Sequence, residues 1–78
     1  MIDQENYEPE ERLANAIIMR AVKDYRLALL ALKRNSRNYG ANKRKEEVER
    51  FFLSDWFITL SRLDGKALME KIRKEVRW

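Results

Sequence analysis

The sequence predicts a small all-α domain, a single bundle of three to four helices with a long first helix. With 78 residues, the chain has room for one domain and a small hydrophobic core. It contains one proline and two glycines, so few residues interrupt helical structure. Apolar side chains recur at steps of three and four residues, which is the period of a helix and not the alternation of a strand.

Residues 1–8 are predicted to form a flexible acidic lead-in, and residues 9–78 the helical domain. Pro9 suits the first turn of a helix because its missing N–H needs no partner there. The first helix is predicted from Pro9 to Arg34. Its last two residues, Lys33 and Arg34, are cations, which are favoured at the negative end of the helix dipole. Its apolar stripe is expected to face the core at Leu13, Ile17, Ala21, Tyr25, Ala28 and Leu32.

Turn-forming residues in the segment 35–38 separate the first two predicted helices, so the chain is expected to fold back there. Ser36 and Asn38 are both candidates for the N-cap of the second helix. That helix is predicted from Tyr39 to Leu53. Its inner face is expected at Ala41, Lys45, Val48 and Phe52.

Two further caps divide the rest of the chain. Ser54 is expected to cap a short third helix over residues 55–62, and Asp64 to cap a fourth. Gly65 fits either the turn or the start of that last helix. Helical spacing assigns Phe52, Trp56, Phe57 and Leu60 to the core. The inner face of the fourth helix is expected at Ala67, Leu68, Ile72 and Val76.

The composition argues against catalysis. There is neither cysteine nor histidine, which removes thiolate ligands, the commonest general base and the commonest transition-metal ligand. No phosphate-binding glycine loop or nucleophile elbow is present. Glu46, Glu47 and Glu49 are expected to form weak surface ion pairs. We therefore expect a non-enzymatic protein without a cofactor or a metal.

No segment approaches the roughly 20 apolar residues needed to cross a bilayer, and no signal peptide is visible. We therefore expect a cytoplasmic protein that does not enter a membrane.

Charge is distributed unevenly along the chain. Residues 1–11 hold five acids and no base, whereas residues 12–50 hold eleven bases and four acids. Six cations and no anion fall within residues 33–45, around the predicted turn. This basic cluster consists of Lys33, Arg34, Arg37, Lys43, Arg44 and Lys45. With Tyr39 among them, these side chains could bind phosphates and stack on a base, or meet an acidic protein surface.

A second candidate surface lies in the aromatic segment 51–58. Its large apolar side chains cannot all face one small core, and Leu53 and Ile58 are the ones expected to be exposed. Exposed neighbours of this kind are typical of a protein interface, with a partner or with a second copy in a homodimer.

Several stretches resemble small uncharacterised proteins encoded by prophages of Gram-positive bacteria. They are residues 14–18, 21–25, 34–39, 51–57 and 63–65. This resemblance implies an accessory protein of a phage or mobile element that acts in the host cytoplasm. Such proteins often bind host or phage machinery, and some inhibit CRISPR nucleases.

Three options remain open from the sequence, one of them a structural dimer with no ligand beyond itself. The first is binding to a host or phage protein, an anti-CRISPR inhibitor being one form. The alternative is direct binding of DNA or RNA through the basic tip of the helical hairpin.

Overall fold

The computed structural model describes residues 9–78, and the predicted acidic lead-in at residues 1–8 lies outside them. The described residues form four helices and no strand: α1 (Pro9–Arg34), α2 (Tyr39–Phe52), α3 (Asp55–Ser61) and α4 (Gly65–Glu75). The all-α fold with a long first helix is therefore confirmed. The second and third helices each end one residue earlier than predicted, because Leu53 and Arg62 are their C-caps.

Side-chain caps fix where three of the helices begin. Asn38, and not Ser36, caps α2 by accepting a hydrogen bond from the N–H of Ala41 at 2.9 Å. Ser54 accepts from the N–H of Phe57 at 3.2 Å at the start of α3. Asp64 accepts from two N–H groups in the first turn of α4. Each cap satisfies backbone donors that have no partner within the helix.

The first two helices form an antiparallel hairpin, which α3 and α4 complete. Tyr25 on α1 lies beside Glu49 on α2, with their side chains hydrogen-bonded at 2.8 Å. Buried side chains from all four helices then meet in one core: Ala21, Tyr25, Leu29, Val48, Phe52, Phe57, Met69, Ile72 and Val76. Within this core, the ring of Phe52 packs edge-on against those of Tyr25 and Phe57, with centroid separations of 5.8 and 5.3 Å.

Three core assignments from the sequence are wrong. Trp56 is 57% exposed, because the short helix α3 buries Phe57 and leaves its neighbour at the surface, edge-on to Phe51. Leu13 is 64% exposed, because the helix turns its neighbour Ala14, which is 8% exposed, towards the protein instead. Ala67 is also exposed, and Met69 takes its place in the core.

Candidate interaction surfaces

Some cations of the basic cluster form hydrogen bonds or ion pairs within the protein, and the others are exposed without such a partner among residues 12–78. Lys33 donates a hydrogen bond to the carbonyl of Val76 at 2.7 Å, at the end of α4. Arg44 contacts two carboxylates, those of Asp24 at 3.6 Å and Glu47 at 3.7 Å. These two cations therefore already have intramolecular partners.

Lys45 also has a partner within the fold. Its ammonium group lies 3.2 Å from the Oε2 atom of Glu49, and both side chains are largely buried. The same ammonium lies 6.0 Å from the ring centroid of Trp78. The inner-face position predicted for Lys45 places the charge beside a carboxylate, which offsets the cost of removing it from water.

The other three cations, Arg34, Arg37 and Lys43, remain exposed at the hairpin tip. In residues 12–78 no carboxylate lies within ion-pair distance of them. Tyr39 is 75% exposed in the same region, and the ammonium of Lys43 lies 5.9 Å from its ring centroid. The tip thus presents three cations beside one aromatic face, half of the charge that the sequence predicted.

Asparagine side chains hold the backbone of this tip. Asn35 accepts a hydrogen bond from the N–H of Arg37 at 3.0 Å, in a short turn of its own. Asn42 donates to the carbonyl oxygens of Ser36 and Asn38. Asn35, one of the turn residues predicted from the sequence, therefore fixes the backbone of Arg37, and Asn42 adds two bonds from α2.

The end of α4 adds residues to this region that the sequence did not assign to it. Val76 contacts Lys33 of α1, and Trp78 lies near Lys45 of α2. The N–H of Trp78 donates to the carbonyl of Arg73 at 2.9 Å, and Arg77 has a φ of 58°, so these residues form the turn that ends the helix. No local pattern could reveal this placement, because it depends on the direction in which α4 packs.

A polar network that joins three helices was also missed. The Oε2 atom of Glu49 accepts hydrogen bonds from Tyr25 at 2.8 Å and from Arg73 at 2.9 Å, and lies close to Lys45. Arg73 also donates to the hydroxyl of Tyr25 at 2.9 Å. Glu49 is therefore a structural residue that ties α4 to the hairpin, and not a surface ion pair as predicted.

The surroundings of this network shift two pKa values in opposite directions. Burial by itself raises the pKa of Glu49, but the hydrogen bonds from Tyr25, Arg73 and Lys45 outweigh it and hold the pKa below its usual value. Burial, with the hydrogen bond to Glu49 next in importance, raises the pKa of Tyr25 from 10.0 to about 12. At neutral pH the network therefore contains a carboxylate and a neutral phenol.

An apolar surface lies at the opposite end of α2 from the basic tip. Leu53, Ile58 and Leu63 are 59%, 54% and 54% exposed and line one shallow cavity of about 370 Å³. We call these three side chains the corner patch. It contains both residues that the sequence singled out as exposed, together with Leu63 from the turn before α4.

Charged side chains surround the corner patch unequally. Arg62 and Lys66 border the same cavity as cations. Asp64 borders it as well, but its carboxylate already accepts hydrogen bonds from the first turn of α4. With two cations and one carboxylate, the net charge around the patch is positive.

The described residues offer no cluster of metal ligands and no membrane-spanning helix. Among the side chains of residues 12–78, no three acidic groups gather as they would around a metal ion. No helix in this range combines the length and the apolar character needed to cross a membrane.

No protein-family model matches the chain, and no curated protein or solved structure is significantly similar to it.

Proposed function

We propose that this chain is a non-enzymatic accessory protein of a prophage or mobile element that binds a host or phage protein in the bacterial cytoplasm. The corner patch is the observation that carries this proposal. The prophage origin rests on the sequence resemblance described above. Inhibition of a CRISPR nuclease is one form that such binding takes.

The corner patch has the character of a protein-binding surface because its side chains are large, apolar and adjacent. Moving a leucine or isoleucine side chain from full exposure to full burial contributes about 1.5–3 kcal/mol. The patch side chains are just over half exposed, so each contributes roughly half of that on binding. Leu53 is the C-cap of α2, and Ile58 lies on α3, so well-defined backbone supports both. A partner can therefore bind without first ordering these residues, which reduces the entropic cost of association.

The charge around the patch indicates the chemistry of the partner. Arg62 and Lys66 favour an acidic surface around an apolar centre. An interface of this kind has an apolar core and a polar rim, as specific protein interfaces generally do.

The experiment compares binding by three purified variants, first to host-cell proteins by affinity capture and then to a purified CRISPR effector by titration. Leu53→Asp and Ile58→Asp place a charge in the patch. Leu27→Asp is the matched control, since Leu27 is 53% exposed but lies on α1, away from the patch. We expect the two patch variants to weaken binding about tenfold or more, and the control to bind as the wild type does.

Circular dichroism tests whether all three variants are folded. Equal weakening by the control and the patch variants would show that the patch is not the binding surface. Failure to capture any partner under conditions in which the protein is folded would reject the proposal of protein binding itself.

Direct binding of nucleic acid is the second candidate, and the hairpin tip favours it. Arg34, Arg37 and Lys43 have no carboxylate partner among residues 12–78, and Tyr39 offers a ring on which a base can stack. Three phosphate contacts predict that the logarithm of the affinity falls with the logarithm of salt concentration with a slope of about −2 to −3.

Mobility shifts with DNA and RNA at several salt concentrations test this alternative. Simultaneous replacement of Arg34, Arg37 and Lys43 by alanine removes the tip charges. Replacement of Arg62, Lys66 and Lys71 is the control with the same net charge, because these exposed cations lie outside the tip. We expect only the tip variant to lose binding and salt dependence. Absence of any shift at low salt would reject nucleic-acid binding.

A further inference from the structure

A groove between α1 and α2 carries a chain of alternating charges that differs from both surfaces above. Arg20 lies 3.8 Å from Asp24, Asp24 lies 3.6 Å from Arg44, and Arg44 lies 3.7 Å from Glu47. The charges along this ion-pair chain are thus positive, negative, positive and negative. Two belong to α1 and two to α2, and all four line a groove of about 450 Å³.

The ion-pair chain borders an apolar floor. Ile17 and Ala21 come from α1, Val48 and Phe51 from α2, and Trp56 from α3. Trp56 is the most exposed of them, and its ring meets that of Phe51 edge-on at 5.7 Å. A large exposed tryptophan beside a charged rim is typical of a binding surface.

We propose that this groove is a homodimer interface, and that its occupant is the same groove of a second copy of the chain. The argument rests on charge complementarity. The row of four alternating charges has opposite signs at its two ends. A two-fold rotation therefore places each charge of one copy opposite a charge of the other sign in the second copy. Arg20 then lies opposite Glu47 of the second copy, and Asp24 opposite Arg44 of the second copy. The Trp56 rings of the two copies cover the apolar floor between them.

The intramolecular ion pairs do not prevent this exchange. The side chains of Arg20, Arg44 and Glu47 are each half exposed or more, and that of Asp24 keeps 23% exposure. All three separations are longer than those of strong charged hydrogen bonds. Exposed pairs of this kind contribute little to stability. They can therefore re-pair across an interface.

This surface is separate from the corner patch. Trp56 and Ile58 flank the buried Phe57 in the sequence of α3 and line different cavities. Dimerisation through the groove therefore leaves Leu53, Ile58 and Leu63 accessible, and the two proposals stand independently.

Sedimentation of two single charge reversals, alone and mixed, tests the interface. In Arg20→Glu, two glutamates face each other across each contact; in Glu47→Arg, two arginines do. Each variant is therefore expected to be monomeric by itself. An equimolar mixture restores an opposite charge at both contacts, so the mixture is expected to form a heterodimer.

The wild type is expected to dimerise as its concentration increases. Trp56→Ser is expected to weaken this association and to leave the protein folded, because Trp56 is exposed. Circular dichroism on each variant provides the control for folding. A wild type that stays monomeric up to about 1 mM would overturn the proposal. So would charge variants that dimerise alone as well as the wild type does, or a folded mixture that fails to associate while the wild type dimerises.

Discussion

Gly65 and Phe52 lie so close together that a Cβ atom at position 65 would overlap the backbone carbonyl of Phe52. The first residue of α4 is therefore in direct contact with the last residue of α2. No side chain separates the two helices at this corner. The contact places the turn that contains Leu63 beside Leu53, and so it shapes the corner patch.

Gly65→Ala is expected to destabilise the protein because the added methyl group meets backbone that cannot rotate away. Overpacking of this kind costs about 1–3 kcal/mol. Gly40→Ala is the matched control, since its Cβ would meet only Asn38 Oδ1, at an ordinary contact distance of 3.6 Å. Gly40 lies in the first turn of α2, so alanine there should stabilise the protein by up to about 1 kcal/mol.

Urea denaturation of both variants measures these changes. Opposite signs for the two substitutions are expected. A Gly65→Ala protein as stable as the wild type would show that α4 can shift away from Phe52 without loss of packing.

Much of the fold could be predicted from the sequence because its signals are local. Pro9 marks the start of α1, and Asn38, Ser54 and Asp64 mark the starts of the other helices. Capping depends on residues only a few positions apart, so one sequence suffices to detect it.

The grouping of side chains across helices could not be predicted in the same way. Nothing in the sequence distinguishes the cations that have intramolecular partners from those that do not. The partnered ones are Lys33, Arg44 and Lys45, and each contacts a group on another turn or helix. Long cationic side chains select partners that only the tertiary structure brings within reach. The exposure of Trp56 has a related reason, since helical spacing does not show how many side chains a short helix can bury.

Glu49→Gln tests the network that joins α4 to the hairpin. The substitution keeps the shape of the side chain but removes the charge that accepts from Tyr25 and Arg73, so we expect a loss of about 1–3 kcal/mol at neutral pH. The folded pKa of Glu49 lies below its unfolded value. Its contribution is therefore complete above the ordinary glutamate pKa of about 4.3 and is lost as the pH falls through the folded value.

The free energy of unfolding, measured from neutral to acidic pH, should consequently fall less steeply in Glu49→Gln than in the wild type. Glu47→Gln is the control, because Glu47 is exposed and contacts Arg44 at 3.7 Å on the surface. Parallel pH profiles for the wild type and Glu49→Gln would contradict the role assigned to the carboxylate.

Tyr25→Phe addresses the alkaline side of the same network. Because the folded pKa of Tyr25 is about 12 and its unfolded value 10.0, the neutral phenol contributes stability that is complete below pH 10 and is lost as the pH rises towards 12. We expect Tyr25→Phe to lose about 0.5–1.5 kcal/mol at neutral pH and to decline less steeply in alkali. Tyr39→Phe, at an exposed position, should behave like the wild type in the same unfolding measurements. An unchanged alkaline slope in Tyr25→Phe would be the contrary result.

Lys33 and Arg34 are adjacent cations with different expected roles, and single substitutions separate them. Lys33 donates to the carbonyl of Val76 at the end of α4, where a positive charge also favours the helix dipole. Lys33→Met keeps much of the apolar stem and removes the charge, so it is expected to cost about 1 kcal/mol of stability. Arg34→Met should leave stability within about 0.5 kcal/mol of the wild type, as substitutions at exposed sites usually do. Urea denaturation measures both, and hydrogen exchange of the amides in the last turn of α4 should quicken only in Lys33→Met. Equal effects of the two substitutions would mean that Lys33 belongs with the free cations of the tip.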